Sequence, residues 1–266
     1  MPGSHDLEHE LGAGARSAVY RGRDKSTGAV VAVKLVPLRH GDAGTARHLD
    51  LRATRLDHPN IAPFCESASG RLAYVVTEFV HGADLSAHVR LGQLLPLPAV
   101  FHAMRRIAAA LHYAHRCGVV HGDVKPANIV VDAAKGTVKL IDFPSCADEG
   151  AGPPGTPAYL SPERLCGMPA TPASDQFALG VTLYQLACGH LPFRGTSWPE
   201  VVHRVVHEPH TDILADAPLL PAGLAAIVDT ALAKNPAQRY RSVEALGRAI
   251  SRLHPDVSGA PRSDAG

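Results

Sequence analysis

The chain has 266 residues, of which 45% are hydrophobic and 19% charged, so it can bury a sizeable core as one large domain or two closely packed lobes. Its formal net charge of +1 gives no global field that favours nucleic acid or an acidic membrane as a partner. The sequence has no apolar run of the roughly 20 residues that span a bilayer, and its polar start (MPGSHDLEHE) has no secretory apolar core.

Cysteine and histidine usage argues against a disulfide framework and against a metal cluster. The five cysteines are widely spaced and form no CxxC pair, which favours free thiols in a reducing, cytoplasmic setting. The sixteen histidines are scattered along the chain. His112 and His115 are three residues apart and would share a helix face, but a scatter is not a ligand cluster.

The first eighty residues are predicted to be mainly strands. Residues 18–23, 29–35 and 72–79 are β-rich runs separated by Gly, Ser and Asp. Between the second and third runs the pattern predicts a helix over roughly residues 43–56, which His58-Pro59 would stop.

From about Asp84 onward the pattern favours helices. Residues 98–116 carry an apolar stripe that ends at Gly118. Residues 173–188 are apolar on nearly every face, which predicts a buried central helix. A final amphipathic helix is marked by Val243, Leu246, Ile250 and Leu253. Residues 255–266 have the composition of a disordered tail.

A glycine-containing hairpin and a strand-end lysine could handle phosphate. In LGAGARSAVYRG, residues 11–22, Gly12 and Gly14 would let backbone amides approach phosphate oxygens. Glycine pairs are also common in ordinary β-turns. Lys34 ends VAVK, and a lone lysine there is usually a solvated charge, but after such a hairpin it can hold the α- and β-phosphates.

The stretch HGDVKPAN is more specific. Asp123 can orient a hydroxyl and accept its proton, Lys125 can neutralise a moving phosphoryl group, and Asn128 can bind a metal ion. Asp142 follows an apolar strand in KLIDF. Alone it is at least as well explained as a turn cap, but with Asn128 it makes a pair of hard oxygen ligands suited to Mg²⁺.

Together these motifs resemble the eukaryotic-type protein kinases, and most of all the bacterial serine/threonine kinases. The similar stretches, in order, are LGAGARSAVYRG, VAVK, LDHPNI, VVTEFVHGADL, HGDVKPAN, IDF, GTPAYLSPE, SDQFALGVTLYQLACGHLPF and AKNPAQRY. The resemblance implies an α+β, bilobal fold with a nucleotide cleft between the lobes. Residues 1–80 would form a small β-rich N-lobe and residues 81–254 a larger, mostly helical C-lobe.

The resemblance also implies a role for individual positions. Nucleotide binding would fall to Leu11, Gly12, Gly14, Val19, Ala32, Lys34, Glu78, Val80 and Asp84. Catalysis would fall to Asp123, Lys125 and Lys34, and metal binding to Asn128 and Asp142. Thr77 would be the gatekeeper, and Glu78 and Val80 would offer backbone hydrogen bonds to adenine. The implied cofactors are ATP and Mg²⁺, with Mn²⁺ as a possible substitute.

Further positions would shape the fold and the acceptor site. Lys125, together with Thr156 in GTPAY, points to Ser/Thr hydroxyls of a protein substrate as acceptors. Glu163 and Arg239 would form a buried ion pair. Asp175 would hold the catalytic loop from the buried helix.

Two departures from the family pattern concern regulation. Gly122 stands where the family has an arginine that meets a phosphorylated activation loop. The variable stretch PSCADEGAGPP offers Ser145 as its single hydroxyl. The sequence therefore predicts a kinase without control by activation-loop phosphorylation.

Two other departures concern activity. Leu49 stands where the family has a glutamate that pairs with the strand lysine, and Asp50 is its neighbour. Pro144 gives DFP instead of DFG and disfavours α geometry at Phe143.

Three functions compete on this pattern. The leading hypothesis is an active ATP-dependent Ser/Thr kinase, because the polar groups of Lys34, Asp123, Asn128 and Asp142 are all present. Leu49 and Pro144 motivate the alternative, a pseudokinase that binds nucleotide and acts as a scaffold or allosteric partner. A phosphotransferase for small molecules is a third, disfavoured by the complete GTPAYLSPE segment. The sequence predicts no nucleic-acid or membrane partner and leaves the oligomeric state open.

Overall fold

The computed structural model describes residues 4–14, 17–36, 52–68, 73–143 and 157–253. Several positions discussed above lie outside these ranges, and so does the predicted tail. They are Leu49, Asp50, Pro144, Ser145 and Thr156.

The first part of the chain forms a five-stranded antiparallel sheet. Its strands are β1 (His5–Gly14), β2 (Ser17–Asp24), β3 (Val30–Val36), β4 (Phe64–Ala68) and β5 (Ala73–Glu78), in the order β1-β2-β3-β5-β4. The three predicted β-rich runs are confirmed as β2, β3 and β5. The length of β1 and the whole of β4 were not predicted.

Alternation along β3 separates the core of the sheet from the cleft. Val31 and Val33 are buried with Val76 of β5 in one apolar cluster. Because successive side chains of a strand point to opposite faces, Ala32 and Lys34 lie on the other face. The strand pattern thus fixes which residues can meet a ligand.

The helix predicted over residues 43–56 is wrong at its C-terminal end. Residues Ala53–Arg55 form a short 3₁₀ helix, and Leu56 is already extended, with φ −70° and ψ 120°. A proline disfavours the α region at the residue before it, His58, so the chain leaves helical geometry early. The rest of that prediction lies outside the described residues.

The second part of the chain is mainly helical. The predicted apolar stripe is confirmed as α1 (Leu97–Arg116). The other helices of the described chain are α2 (Pro162–Leu165), α3 (Pro172–Cys188), α4 (Trp198–His207), α5 (Ile213–Asp216), α6 (Ala222–Ala231) and α7 (Val243–Leu253). None of the described helices is both long enough and apolar enough to cross a membrane.

Helix α3 is the buried centre of this part, as predicted. Every residue from Ser174 to Cys188 is buried. A capping box between Thr171 and Ser174 begins the helix, and Gly189 ends it in the left-handed region with φ 79°. This helix packs against α1 and α6 and so offers a rigid support to the loops around it.

A small three-stranded sheet connects the two parts. It consists of β6 (Ala83–Asp84), β7 (Ile129–Asp132) and β8 (Thr137–Leu140). The backbone of Ile61, on the sheet side, pairs with Leu140 in a parallel bridge. Lys139 Nζ also lies 2.7 Å from Glu78 Oε2 at the end of β5.

The described cysteines and the two helix histidines have ordinary environments. Cys65, Cys117, Cys166 and Cys188 are free thiols. The histidines predicted to share a helix face contact different partners: His112 Nε2 lies 3.7 Å from Glu244, and His115 Nε2 lies 2.8 Å from Asp175.

Candidate active site

A cavity of about 480 Å³ lies between the five-stranded sheet and the small sheet. The predicted site residues in its lining are Leu11, Gly12, Val19, Ala32, Lys34, Glu78, Val80, Asp84, Asn128 and Asp142. Gly14 ends β1 in the same hairpin. The sequence analysis assigned no role to Ile61, Ala62, Val130 and Ile141, which also line the cavity; Ile61 and Ile141 lie within the quoted stretches LDHPNI and IDF.

The register of β2, β3 and β5 places residues of these three strands side by side in the lining of the cavity. Ala32 is paired with Thr77, and Lys34 with Val75 on one side and Val19 on the other. Small and β-branched side chains therefore make a narrow apolar slot, which suits a flat aromatic ring.

The end of β5 and the segment after it border that slot. The N–H of Glu78 donates to Pro63 O at 2.9 Å. Val80 follows in irregular backbone and lines the cavity. Asp84 closes the other end, where its Oδ1 accepts the N–H of Ser86 at 2.8 Å.

Asp123, Lys125 and Asn128 form one polar cluster. Lys125 Nζ donates to Asp123 Oδ2 at 2.7 Å. Asn128 Nδ2 donates to the backbone oxygen of Asp123 at 2.7 Å and to its Oδ2 at 3.2 Å. Both side-chain contacts use the same carboxylate oxygen, so within the described residues the hydrogen bonds of this cluster leave Oδ1 of Asp123 unused.

Asp175 holds the loop that carries Asp123, which confirms the architectural role predicted for it. This carboxylate is 1% exposed. It accepts the N–H of His121 at 2.8 Å and the N–H of Gly122 at 2.7 Å, and lies 2.8 Å from His115 Nε2. Because a buried carboxylate needs such partners, loop and helix α3 are tied together.

His121 connects the catalytic loop to the residues around Asp142, a link that the sequence analysis missed. The N–H of Asp123 donates to His121 Nδ1 at 3.2 Å, so the ring proton is on Nε2, which donates to Ile141 O at 2.9 Å. The ring also packs edge-on to Phe143, with centroids 4.7 Å apart. The signal available in the sequence was the histidine that opens HGDVKPAN.

Lys34 and Asp142 are in direct contact. Lys34 Nζ lies 2.5 Å from Asp142 Oδ1, and each side chain is about one third exposed (28% and 34%). Asp142 has φ 63°, the single positive φ of a non-glycine residue in the described chain. That conformation costs roughly 1–2 kcal/mol, and such strain clusters at functional sites.

Gly122 also has a left-handed backbone, with φ 74°. A Cβ at this position would meet the Cβ of Ala170 at 3.5 Å, an ordinary contact. Space would therefore admit a side chain here, whereas the backbone conformation favours glycine.

The predicted ion pair between Glu163 and Arg239 is confirmed. Arg239 NH1 and NH2 lie 2.8 Å and 2.9 Å from the two carboxylate oxygens of Glu163, and the arginine side chain is fully buried. Burial raises the pKa of Glu163, but the hydrogen bonds and the charge of Arg239, together with hydrogen bonds from the Glu163 N–H and Ser161, hold that pKa below its ordinary value.

The comparison with protein families gives one match across nearly the whole chain. The family model described as the protein kinase domain matches residues 5–249. The chain therefore belongs to the protein kinase domain family, and its fold is the bilobal α+β kinase fold.

Among curated relatives the similar proteins are bacterial serine/threonine kinases. Serine/threonine-protein kinase PknA of Mycobacterium tuberculosis is 32% identical over 95% of this chain and 62% of its own length. Serine/threonine-protein kinase Pkn1 of Myxococcus xanthus is 35% identical over 93% of this chain and 38% of its own length. The chain thus spans less than two thirds of either relative.

Two solved structures share the architecture. A double mutant of the Mycobacterium tuberculosis PknI kinase domain has a TM-score of 0.76 at 26% identity, covering 94% of this chain and 95% of that one. Residues 1–466 of Rad53 in complex with AMP-PNP give a TM-score of 0.78 at 27% identity, covering 93% of this chain and 65% of that one.

Proposed function

We propose that the chain is an ATP-dependent protein serine/threonine kinase that transfers the γ-phosphoryl group to Ser or Thr hydroxyls. The observation that carries the proposal is the cluster of Asp123, Lys125 and Asn128 beside a cavity that holds Lys34 and Asp142. Phosphoryl transfer depends mostly on positioning and charge stabilisation, and these five side chains supply both.

The chain's own residues have distinct roles in this reaction. Asp123 would orient the acceptor hydroxyl through Oδ1 and accept its proton. Lys125, 2.7 Å from Asp123 Oδ2, would stabilise negative charge on the transferred group. Asp175 keeps this geometry by holding the N–H groups of His121 and Gly122.

The donor set fits a divalent cation. Asn128 uses Nδ2 toward Asp123, which leaves its Oδ1 for a ligand, and Asp142 lines the same cavity. An amide oxygen and a carboxylate are hard ligands that suit Mg²⁺, with Mn²⁺ as a substitute. The ion would neutralise charge on the phosphates when bound.

Lys34 has two candidate partners in the catalytic cycle. In the described residues it contacts Asp142, which is also the proposed metal ligand. Binding of a metal–nucleotide complex would therefore exchange this ion pair for contacts of Lys34 with phosphate and of Asp142 with the cation. The contact between Lys34 and Asp142 is also the observation that favours the pseudokinase alternative, because it occupies both the proposed phosphate-binding lysine and the proposed metal ligand.

We propose that kinase activity needs no activation-loop phosphate, since Gly122 has no side chain to bind one.

We also propose that residues 1–80 and 81–254 form the two lobes. The end of β5 at Glu78 and the start of β6 at Ala83 support this division.

The test is transfer from labelled ATP, with Mg²⁺ or Mn²⁺, to the chain itself and to a generic protein substrate. We expect phosphoserine or phosphothreonine with the unchanged chain and a loss of at least a hundredfold with Asp123→Asn. Nucleotide binding is measured alongside by calorimetry. Binding without transfer above the Asp123→Asn control would assign the pseudokinase function instead.

A further inference from the structure

Two histidines lie on the outward face of α4. His203 and His207 are separated by four positions, so they lie one above the other on the same side of the helix. Both are exposed, whereas Val205 of the same helix is buried. Neither histidine lines the nucleotide cavity, so a ligand of this pair would be separate from the proposed site of ATP and Mg²⁺.

The spacing of the two rings fits a shared metal ion. The ring centroids of His203 and His207 are 5.0 Å apart, and the ring planes are inclined by 49°. A metal ion bound to a ring nitrogen at about 2.0–2.1 Å lies about 3.2 Å from the ring centroid, so two rings that meet one ion at a tetrahedral angle have centroids about 5 Å apart. The two side chains therefore already have the separation that one ion requires.

Glu208 determines which ring nitrogen His203 can offer. Glu208 Oε1 lies 3.4 Å from His203 Nδ1, which favours the tautomer with its proton on Nδ1 and leaves the lone pair on Nε2. Metal-binding histidines commonly direct their second ring nitrogen to a carboxylate in this way. Within the described residues, no hydrogen bond or ion pair engages the ring of His207, so one of its nitrogens can turn to the same ion.

The charged side chains around the pair balance one another. Arg204, between the two histidines, lies 2.8 Å from Glu200 and 3.8 Å from Glu208. Lys234 approaches from the inner side of α4, where its Nζ donates to the carbonyls of Arg204 and Val205. The two carboxylates offset the two cations, so these four neighbours add no net charge that would oppose a dication.

We propose that His203 and His207 bind one divalent transition-metal ion of the Zn²⁺ class, through one ring nitrogen each. Imidazole nitrogen suits Zn²⁺, Ni²⁺ and Cu²⁺, whereas Mg²⁺ prefers oxygen ligands. No three His, Cys, Asp or Glu side chains in the described part of the chain come together as a metal cluster, so water completes the coordination of this ion. The proposal does not depend on the proposed kinase function.

The first test is calorimetry of the full chain, without a histidine tag, titrated with ZnCl₂. Exposed thiols are alkylated beforehand, and excess Mg²⁺ is present to occupy oxygen-ligand sites, with which Zn²⁺ bound to imidazole should not compete. His203→Gln and His207→Gln should each weaken Zn²⁺ binding by about tenfold or more, because each leaves a single imidazole. His9→Gln combined with His81→Gln is the matched control, since it removes two exposed histidines elsewhere, and its affinity should be unchanged.

The second test locates the ion and measures its effect on stability. Modification with diethyl pyrocarbonate, followed by mass spectrometry, should show that Zn²⁺ protects His203 and His207 but not His9 or His81. Zn²⁺ should also raise the Tm of the unchanged chain and of the control, but not of either α4 variant, because a ligand stabilises the state that binds it. Without Zn²⁺ all four proteins should unfold at the same temperature, since the substituted positions are exposed.

The possible outcomes are distinct. Equal Zn²⁺ affinity in the α4 variants and in the control would overturn the site, and so would protection shared by all exposed histidines. A loss of affinity in one α4 variant alone would leave a single-histidine contact and overturn the shared ion. Displacement of Zn²⁺ by Mg²⁺ would overturn the assigned class of metal. Phosphoryl transfer enters none of these measurements, so an inactive chain that binds Zn²⁺ as described would remove the proposed kinase function and keep the metal site.

Discussion

At the scale of single residues, the backbone of Gly122 bears on regulation. Its φ of 74° penalises any side chain by roughly 1–2 kcal/mol. The described structure places its N–H on Asp175, so the position serves the catalytic loop through its backbone.

We therefore expect Gly122→Arg to lower stability by about 1–2 kcal/mol without raising activity, because the proposed regulation involves no loop phosphate that could meet the new charge. Urea unfolding and transfer assays before and after phosphatase treatment measure both effects. Gly122→Ala is the matched control, since it introduces the same backbone strain without charge. A phosphatase-sensitive gain in activity with arginine alone would contradict this account.

At the scale of elements, Arg239 joins α2 to the start of α3 and to the chain after α6. Besides Glu163 it donates to Ala173 O at 2.8 Å, to Ala233 O at 2.8 Å and to Lys234 O at 3.1 Å. All five guanidinium N–H groups are thereby used, so removing this side chain leaves carbonyls and a half-buried carboxylate without partners.

Arg239→Met should lower the free energy of unfolding at pH 7 by about 3–5 kcal/mol. Arg241→Met, at an exposed position two residues on, should change it little. Urea denaturation of the three proteins measures the difference. A loss under about 1 kcal/mol for Arg239→Met would show that the pair contributes no more than a surface salt bridge.

The same pair predicts a pH dependence. The pKa of Glu163 in the folded chain lies below its ordinary 4.5, so the unfolded chain binds more protons in this range and the pair stabilises fully above pH 4.5. That stabilisation is lost as the pH falls through the depressed pKa. The stability gap between the unchanged chain and Arg239→Met should therefore narrow below pH 4.5, as denaturation at a series of pH values can show.

At the scale of the whole molecule, the sheet and the helical part are joined beside the cleft. Asn60 Nδ2 donates to Val138 O at 2.7 Å, and the N–H of Leu140 donates to Asn60 O at 2.8 Å. The Lys139–Glu78 ion pair adds a side-chain contact between β8 and the last residue of β5. Glu78 also borders the nucleotide cavity, so this joint and the ligand share a residue.

Lys139→Met should weaken nucleotide binding by up to about fivefold, because the pair is partly exposed and worth at most roughly 1 kcal/mol. Lys135→Met, in the exposed turn between β7 and β8, is the control. Calorimetry with ATP and Mg²⁺ measures both. An unchanged affinity in Lys139→Met would mean that the contacts of Asn60 and of Ile61 and Ala62 with β8 hold the two parts together without this ion pair.

Much of the secondary structure could be predicted from local sequence patterns. β-Branched runs marked β2, β3 and β5, and unbroken apolarity marked α3, because these features follow from neighbours in sequence. Strand β4 and the early end of the helix before His58 were missed, since a short strand beside a turn carries little periodic signal.

Distant pairings were harder to foresee. The partner of Lys34 is 108 positions away, and Lys139 meets Glu78 from 61 positions away. Contacts between residues so far apart in sequence depend on the tertiary fold and have no local sequence signal. The left-handed backbone of Asp142 likewise has no signature in KLIDF. Asp175 and the Glu163–Arg239 pair were foreseen through family resemblance rather than periodicity.

The attachment of the catalytic loop to Asp175 has a consequence for the behaviour of the protein on heating. Asp175 belongs to α3, whose residues from Ser174 onward are all buried, so the loop cannot loosen without breaking its hydrogen bonds to a buried helix. Local melting of the catalytic centre ahead of the rest is thereby disfavoured. Loss of activity and cooperative unfolding should occur at the same temperature, so the protein should keep its activity up to the unfolding transition.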